Sequence, residues 1–320
     1  MKKLLIIIAI CFVAPKVFGQ QQYLFTNYLM NEFYYNPALA GSKNVHYANL
    51  GYRNQWTGFD GSPTTLHANY FGSYANEMKH GYGASILSDR SGLVQNTSFY
   101  LNYAYHLNIT DSVRIGIGVK PGFLQYNIKL YDAQLADAGD DVLTGNILAT
   151  NAFDINSGFH IYSDKFFVSM SMRNILSDAI KFTGFNEGLS RHFTMIGGYN
   201  FINKKKNYVI SPSLLLQYVK PAVPQASIMV KGTFQDKYWV GLTYRTQDAP
   251  GIALGMKFWN RLTIGYAYDY SLGGINNYNY GSHELMLSFI TTNNKPSLDE
   301  EDEDLNNSIF DDNNEKKKKN

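Results

Sequence analysis

Alternation constrains this chain more than any other feature. Over residues 262–271, Leu262, Ile264, Tyr266, Tyr268 and Tyr270 share one parity, and Thr263, Gly265, Ala267, Asp269 and Ser271 share the other. Successive side chains of an extended strand point to opposite faces, so such a segment has one apolar face and one small or polar face. The division recurs. Phe99, Leu101, Tyr103, Tyr105 and Leu107 alternate with Asn102, His106 and Asn108; Val113, Ile115, Ile117 and Val119 with Arg114, Gly116, Gly118 and Lys120; Ile252, Leu254, Met256 and Phe258 with Ala253, Gly255, Lys257 and Trp259. Segments of this kind begin near Val45, Thr64, His80, Thr97, Val113, Asp154, Phe166, Arg191, Tyr208, Gln225, Tyr238, Gly251, Leu262 and Ser282. Each is close to the ~9–11 residues that cross a bilayer at a tilt.

Composition says what the two faces meet. The chain has 25 Tyr and 20 Phe, yet its mean hydropathy is −0.26. The aromatics sit in polar surroundings at every second position, as in a sheet with lipid on one side and water on the other. After the first residues no apolar run reaches the ~18 residues of a membrane-crossing helix. The connections fit a barrel, which has short periplasmic turns and longer outer loops. Brief polar turns at 75–79, 108–112, 163–165, 203–207, 235–237 and 260–261 alternate with mostly longer loops, among them 54–63, 130–153, 175–189 and 272–281. The expectation is an all-β, transmembrane antiparallel β-barrel of about 14 strands in the outer membrane, an even number with both termini in the periplasm. Two irregularities are expected. After Pro121-Gly122 the apolar parity moves to Leu124, Tyr126 and Ile128, which predicts a bulge that flips the faces. Pro212 lacks the ladder donor and predicts a bulge or weak pairing.

Met1-Lys2-Lys3, an apolar run from Leu4 to Val13, a break at Pro15 and Val17-Phe18-Gly19 together read as a secretory signal peptide over 1–19, cleaved before Gln20. A lead segment follows at 20–44, the barrel at 45–290 and a charged, disordered periplasmic tail at 291–320. In the tail, residues 299–304 are all acidic and 316–319 all lysine. The single cysteine, Cys11, lies inside the signal, so no disulfide is available to the mature chain. A net charge of +2 argues against nucleic acid as a partner.

Enzymatic motifs are lacking. The seven histidines show no metal-ligand spacing, and no Gly-x-Ser-x-Gly elbow occurs. Gly116-Ile117-Gly118 with Lys120 lacks the rest of a phosphate loop, and its glycines read as room for close packing or a bend. His283 and Glu284, adjacent on a strand, face opposite sides and read as structural. Arg114, Lys120, Arg173, Lys231, Arg245 and Lys257 fall on the inner parity with Asp154, Asp269 and Glu284. They either select solutes or, as the favoured reading, pair across a plugged interior. Lys204-Lys205-Lys206 reads as a solvated turn. No cofactor or metal is expected.

Three stretches carry a family resemblance: Tyr34-Tyr35-Asn36-Pro37-Ala38-Leu39-Ala40-Gly41; Tyr52-Arg53-Asn54-Gln55-Trp56-Thr57-Gly58-Phe59 followed by Gly61-Ser62-Pro63-Thr64-Thr65; and Ser282-His283-Glu284-Leu285-Met286-Leu287-Ser288-Phe289. From about Gln20 to Phe289 the chain resembles the PorP/SprF family of outer-membrane proteins linked to type IX secretion. The resemblance implies a non-enzymatic barrel of the secretion and gliding apparatus. It would aid export or anchoring of particular surface proteins such as adhesins. Implied partners are the cargo's C-terminal sorting domain and periplasmic or lipoprotein parts of the machine, besides outer-membrane lipid. The candidate partner-binding residues are Asn36, Pro37, Arg53, Asn54, Gln55 and Trp56. The first pair would fold into or cap the lumen, and the others would open the first outer loop. Their structural alternative is a proline turn and an interfacial tryptophan anchor. A channel for a small or hydrophobic solute is the rival function, and an outer-membrane lipase the third.

Overall fold

A sheet in lipid cannot leave an edge of unpaired N–H and C=O groups, so it must close on itself. The computed structural model, which describes residues 24–58, 60–74, 78–129, 147–176, 190–220, 222–246, 249–272 and 277–292, is closed in this way. The strands are β1 (Val45–Asn54), β2 (Thr64–Tyr74), β3 (His80–Ser91), β4 (Val94–Asn108), β5 (Arg114–Lys129), β6 (Ile147–Tyr162), β7 (Phe166–Arg173), β8 (His192–Tyr199), β9 (Phe201–Asn203), β10 (Tyr208–Val219), β11 (Gln225–Phe234), β12 (Tyr238–Arg245), β13 (Pro250–Phe258), β14 (Leu262–Asp269) and β15 (Ser282–Thr292). β9 is a short piece that continues β8 along β10. The other fourteen form the antiparallel ring, in which β15 pairs with β1 and β10 with β11. The wall is uneven: β4, β5 and β6 have 15, 16 and 16 residues, whereas β12 and β14 have 8 each.

The faces divide by parity. Leu50, Tyr52, Leu101, Tyr103, Leu242, Tyr244 and Leu254 stand exposed on the outside, while Asn49, Asn69, Ser85, Asn102, Thr194 and Ser227 are buried within. Exposed apolar residues on such a wall are the lipid-facing band of a membrane barrel. At the end holding both Val45 and Thr292 the connections are short turns. The opposite end carries the longer loops, although β3 and β4 are joined there by Gly92 and Leu93 alone. The expected signal peptide, the 130–146 part of the loop at 130–153, residues 177–189, the turn at 75–77 and the tail from 293 lie outside the described residues.

The bulge expected after Pro121-Gly122 is not there. β5 keeps one register with β6 from Arg114↔Tyr162 to Lys129↔Ile147, and Phe123 remains outside while Leu124 is buried. The apparent shift arises because apolar Leu124 and Tyr126 face inward, where they pack with Tyr100 and Ala152. At Pro212 the ladder is interrupted on one side only. β10 pairs with β11 through Pro212, but with the preceding strand it skips Ser211 and Pro212, opposite the join between β8 and β9.

The core of this molecule lies inside the barrel. Residues 24–44 enter the lumen as a 3-10 turn (Tyr28–Met30), one α-helical turn (Glu32–Tyr35) and a second 3-10 turn (Pro37–Leu39). Leu24, Phe25, Tyr28 and Tyr35 pack on Ile196, Leu215, Met229, Trp239 and Met286 of the wall. Phe33 stacks on Phe71, 4.3 Å between centroids. Burying a side chain such as Phe25 or Phe33 is worth roughly 1.5–3 kcal/mol.

Candidate functional site

The plug sits on small residues of the wall. A Cβ on Gly118 would lie 2.5 Å from the Ala38 nitrogen, and one on Gly158 would collide with Asn36 Oδ1. Glycine at these two lumen-facing positions lets plug backbone lie against strand backbone. Asn36 then pins the segment. Its Oδ1 accepts from the Ala38 amide at 2.8 Å, capping the turn that Pro37 begins. Its Nδ2 donates to the carbonyls of Phe159 and Met170 at 2.9 and 3.3 Å. The Pro37 carbonyl accepts from Asn102 Nδ2 at 3.1 Å, and the Ala40 carbonyl from His106 Nε2 at 2.7 Å. Tyr28 shares a 2.7 Å hydrogen bond with Ser213, and Tyr35 accepts from the Phe25 amide at 3.0 Å. Burial pushes both phenols above their ordinary range, so both stay neutral.

On the other side of the lumen a charge clamp holds the start of the plug. Arg53 is 2% exposed and points inward from β1. It donates to Asp269 at 2.8 Å, Glu284 at 3.2 Å and Thr26 Oγ1 at 2.7 Å. Glu284 accepts the successive amides of Thr26 and Asn27 at 2.8 and 3.1 Å. Thr26 Oγ1 donates to Asp269 at 2.5 Å, and Arg245 stands 3.6 Å from the same carboxylate. This is the pairing across a plugged interior expected for Asp269, Glu284 and Arg245. Arg53 joins this inward set. Its parity with Asn49 and Gly51, against Leu50 and Tyr52 outside, is the signal that reveals it.

The six candidate residues therefore divide. Asn36 and Pro37 are in the lumen and hold the plug, as does Arg53. Asn54, Gln55 and Trp56 lie at the loop-end rim. Asn54 accepts from Ser62 at 3.2 Å, and the Gln55 amide donates to the Pro63 carbonyl at 2.8 Å. Trp56, half-buried with a φ of 54°, donates its amide to Ser282 Oγ at 3.1 Å. Thr57 and residues 280–281 exchange backbone hydrogen bonds of 2.8 and 2.6 Å, so the first and last loops form one platform. Tyr278 and Tyr280, 76% and 78% exposed, stand on it. Sequence reasoning missed these two, because an exposed loop tyrosine has no periodicity to mark it.

The remaining inner charges behave differently. Lys257 pairs with Asp236 and Arg114 binds the Met78 carbonyl, both near the turn end. Lys231 lies 5.2 Å from the Trp239 ring. Lys120 and Arg173 border a small cavity of about 30 Å³ in the loop-end half of the lumen. Among the described residues no cluster of three His, Asp or Glu is placed to hold a metal.

A closed ring of fourteen strands, apolar outside and filled by its own leading segment, is a membrane β-barrel. The family model described as type IX secretion system membrane protein PorP/SprF matches residues 17–289, and the chain belongs to that family. All three stretches that carried the resemblance fall inside this span. Among solved structures, the CymD monoaromatic hydrocarbon channel matches with a TM-score of 0.50 at 9% identity, over 86% of this chain and 94% of its own. The Pseudomonas putida toluene transporter TodX matches with 0.46 at 8% identity, over 84% and 93%. At its identity the CymD likeness shows the fold alone. No curated protein matches the sequence. The family is one of secretion-system membrane proteins, and the fold is a membrane β-barrel.

Proposed function

We propose that this chain is a non-enzymatic outer-membrane barrel of the type IX secretion and gliding apparatus that aids export or anchoring of specific cargo, such as an adhesin, by binding protein partners. The observation that carries this reading is the plug: a lumen occupied by residues 24–44 suits a scaffold that presents its rims better than an open pore. Both termini lie in the periplasm in this reading. The turn end then faces periplasmic and lipoprotein components of the machine, and the platform of Gln55, Trp56, Tyr278 and Tyr280 faces the cargo or its C-terminal sorting domain. Exposed aromatics of this kind anchor protein interfaces.

The test is purification of the tagged protein in mild detergent from its native membrane, with mass spectrometry of what accompanies it. A surface adhesin or secretion-ring components should be recovered from the parent. W56A should leave thermal stability within about 0.5 kcal/mol of the parent, as expected of a rim residue, and should lose the adhesin. A solitary barrel would sink the reading. The rival, a channel for a small or hydrophobic solute, draws support from the fold shared with the hydrocarbon channel and predicts conductance in a planar bilayer.

A further inference from the structure

The turns at the end where Val45 and Thr292 meet are unequal in charge. The two that follow β2 and β4 are balanced in sequence, Lys79 and Arg114 against Glu77 and Asp111. The four from the β6–β7 turn round to the β13–β14 turn carry Lys165, Lys204, Lys205, Lys206, Lys237 and Arg261 against Asp164 and Asp236. Asp236 is already taken by Lys257. All six cations are exposed, and Lys204–Lys206 crowd three like charges into one 3-10 turn. Lys165, Lys205, Lys206 and Lys237 make no ion pair among the described residues. Backbone hydrogen bonds tie these turns into one arc. The Asn200 amide donates to the Lys165 carbonyl at 2.7 Å, and those of Gln235, Lys257 and Ile290 to Asn207, Lys237 and Arg261 at 2.8 Å each. Ile290 is in β15, so the arc ends where the chain leaves the barrel. Like charges held this close repel, and a polyanion laid along them relieves the repulsion.

The chain itself supplies one. Beyond Thr292 it runs to Asn320, and residues 299–304 are all acidic. Asp299 follows Thr292 by 7 residues, which reach about 25 Å when extended. Neighbouring turns lie about 12 Å apart along the rim, being two strands spaced ~4.8 Å and tilted by ~40°. The acidic run, about 20 Å long when extended, therefore covers the stretch from Lys237 to Lys204–Lys206. An exit fixed beside one arc accounts for an excess of cations on that arc alone, whereas lipid headgroups surround the whole rim. We propose that the acidic run 299–304 folds back onto this arc, so that the partner of the basic surface is the chain's own tail. A single exposed ion pair is weak, but tethering holds the run at roughly millimolar concentration beside its site, where six carboxylates act together. The docked tail covers one side of the turn-end rim, whichever cargo the barrel serves.

The experiment is carboxylate-to-amine coupling by a zero-length carbodiimide on the full-length protein in mild detergent at low ionic strength. The monomer is digested and its links are read by mass spectrometry. Links from 299–304 to Lys204–Lys206 and Lys237 are expected, and they should fall at least about fivefold at about 1 M salt, where the Debye length is ~3 Å. Acetylation rates give a second reading. In D299N/E300Q/E301Q/D302N/E303Q/D304N, which leaves the barrel sequence untouched, Lys205, Lys206 and Lys237 should acetylate severalfold faster than in the parent, while Lys79 keeps the parental rate. Links confined to Lys316–Lys319 would overturn the proposal in favour of a tail paired with itself, and loss of the links in phosphatidylglycerol vesicles would give the arc to lipid instead. Links that reach Lys79 as often as the arc, or unchanged acetylation in the variant, would overturn it equally.

Discussion

The two sides of the lumen treat charge in opposite ways. On the side of β1, β14 and β15, Arg53, Asp269 and Glu284 are paired with one another and with the plug. On the side of β5, β6 and β7, Lys120 and Arg173 stand over aromatic rings, and amides border the space between. The first arrangement gives donors to both Glu284 oxygens and to Asp269 Oδ2 and fixes where the plug begins. The second sets the buried Lys120 ammonium over the Phe33 ring of the plug.

Arg53→Met gives the sharpest way to break the comparison. Removing one partner of a buried charge network costs about 3–5 kcal/mol because it leaves carboxylates without their counter-charge. Urea unfolding in detergent should register that loss, with faster hydrogen exchange at residues 24–28. If exchange there is unchanged, the clamp does not hold the plug. Gly118→Val presses on the same plug from the other side. Its side chain meets the backbone of Pro37 and Ala38, and overpacking of this kind costs about 1–3 kcal/mol. Protease should then cut the plug faster, while exchange at Thr26 and Asn27 stays near the parent's if the two sides hold separate parts of the segment. The smallest effect is a gain. Asn156→Asp sets a carboxylate beside its register partner Lys120, and should stabilise by about 1 kcal/mol in thermal melts at neutral pH. A destabilised variant would mean that Lys120 has no need of a counter-charge.

The sequence was most informative about the wall. Parity placed Leu101, Tyr103, Leu254 and Tyr266 in lipid and Asn102 inside, and the fourteen starting points fall within a few residues of the strands, save that β6 begins seven residues earlier than Asp154. The site was less legible. Arg53 and Trp56 lie three residues apart and read as one motif, yet the strand turns the first inward to the clamp and releases the second to the rim.

What the sequence by itself determined is which face of each strand meets lipid. That follows from a period of two and needs no knowledge of neighbours in space. Only the tertiary structure decided what fills the inside. An inner face of Asn, Ser, Thr and Gly is as suited to water as to a packed polypeptide, so the pattern is the same for an open pore and a plugged one. The inward pair Leu124 and Tyr126 imitated a bulge for the same reason: apolar residues facing in are readable only once Tyr100 and Ala152 are seen beside them. Arg53 meets Asp269 and Glu284 only because the last strands return to close the ring against β1, bringing together residues 216 and 231 positions apart.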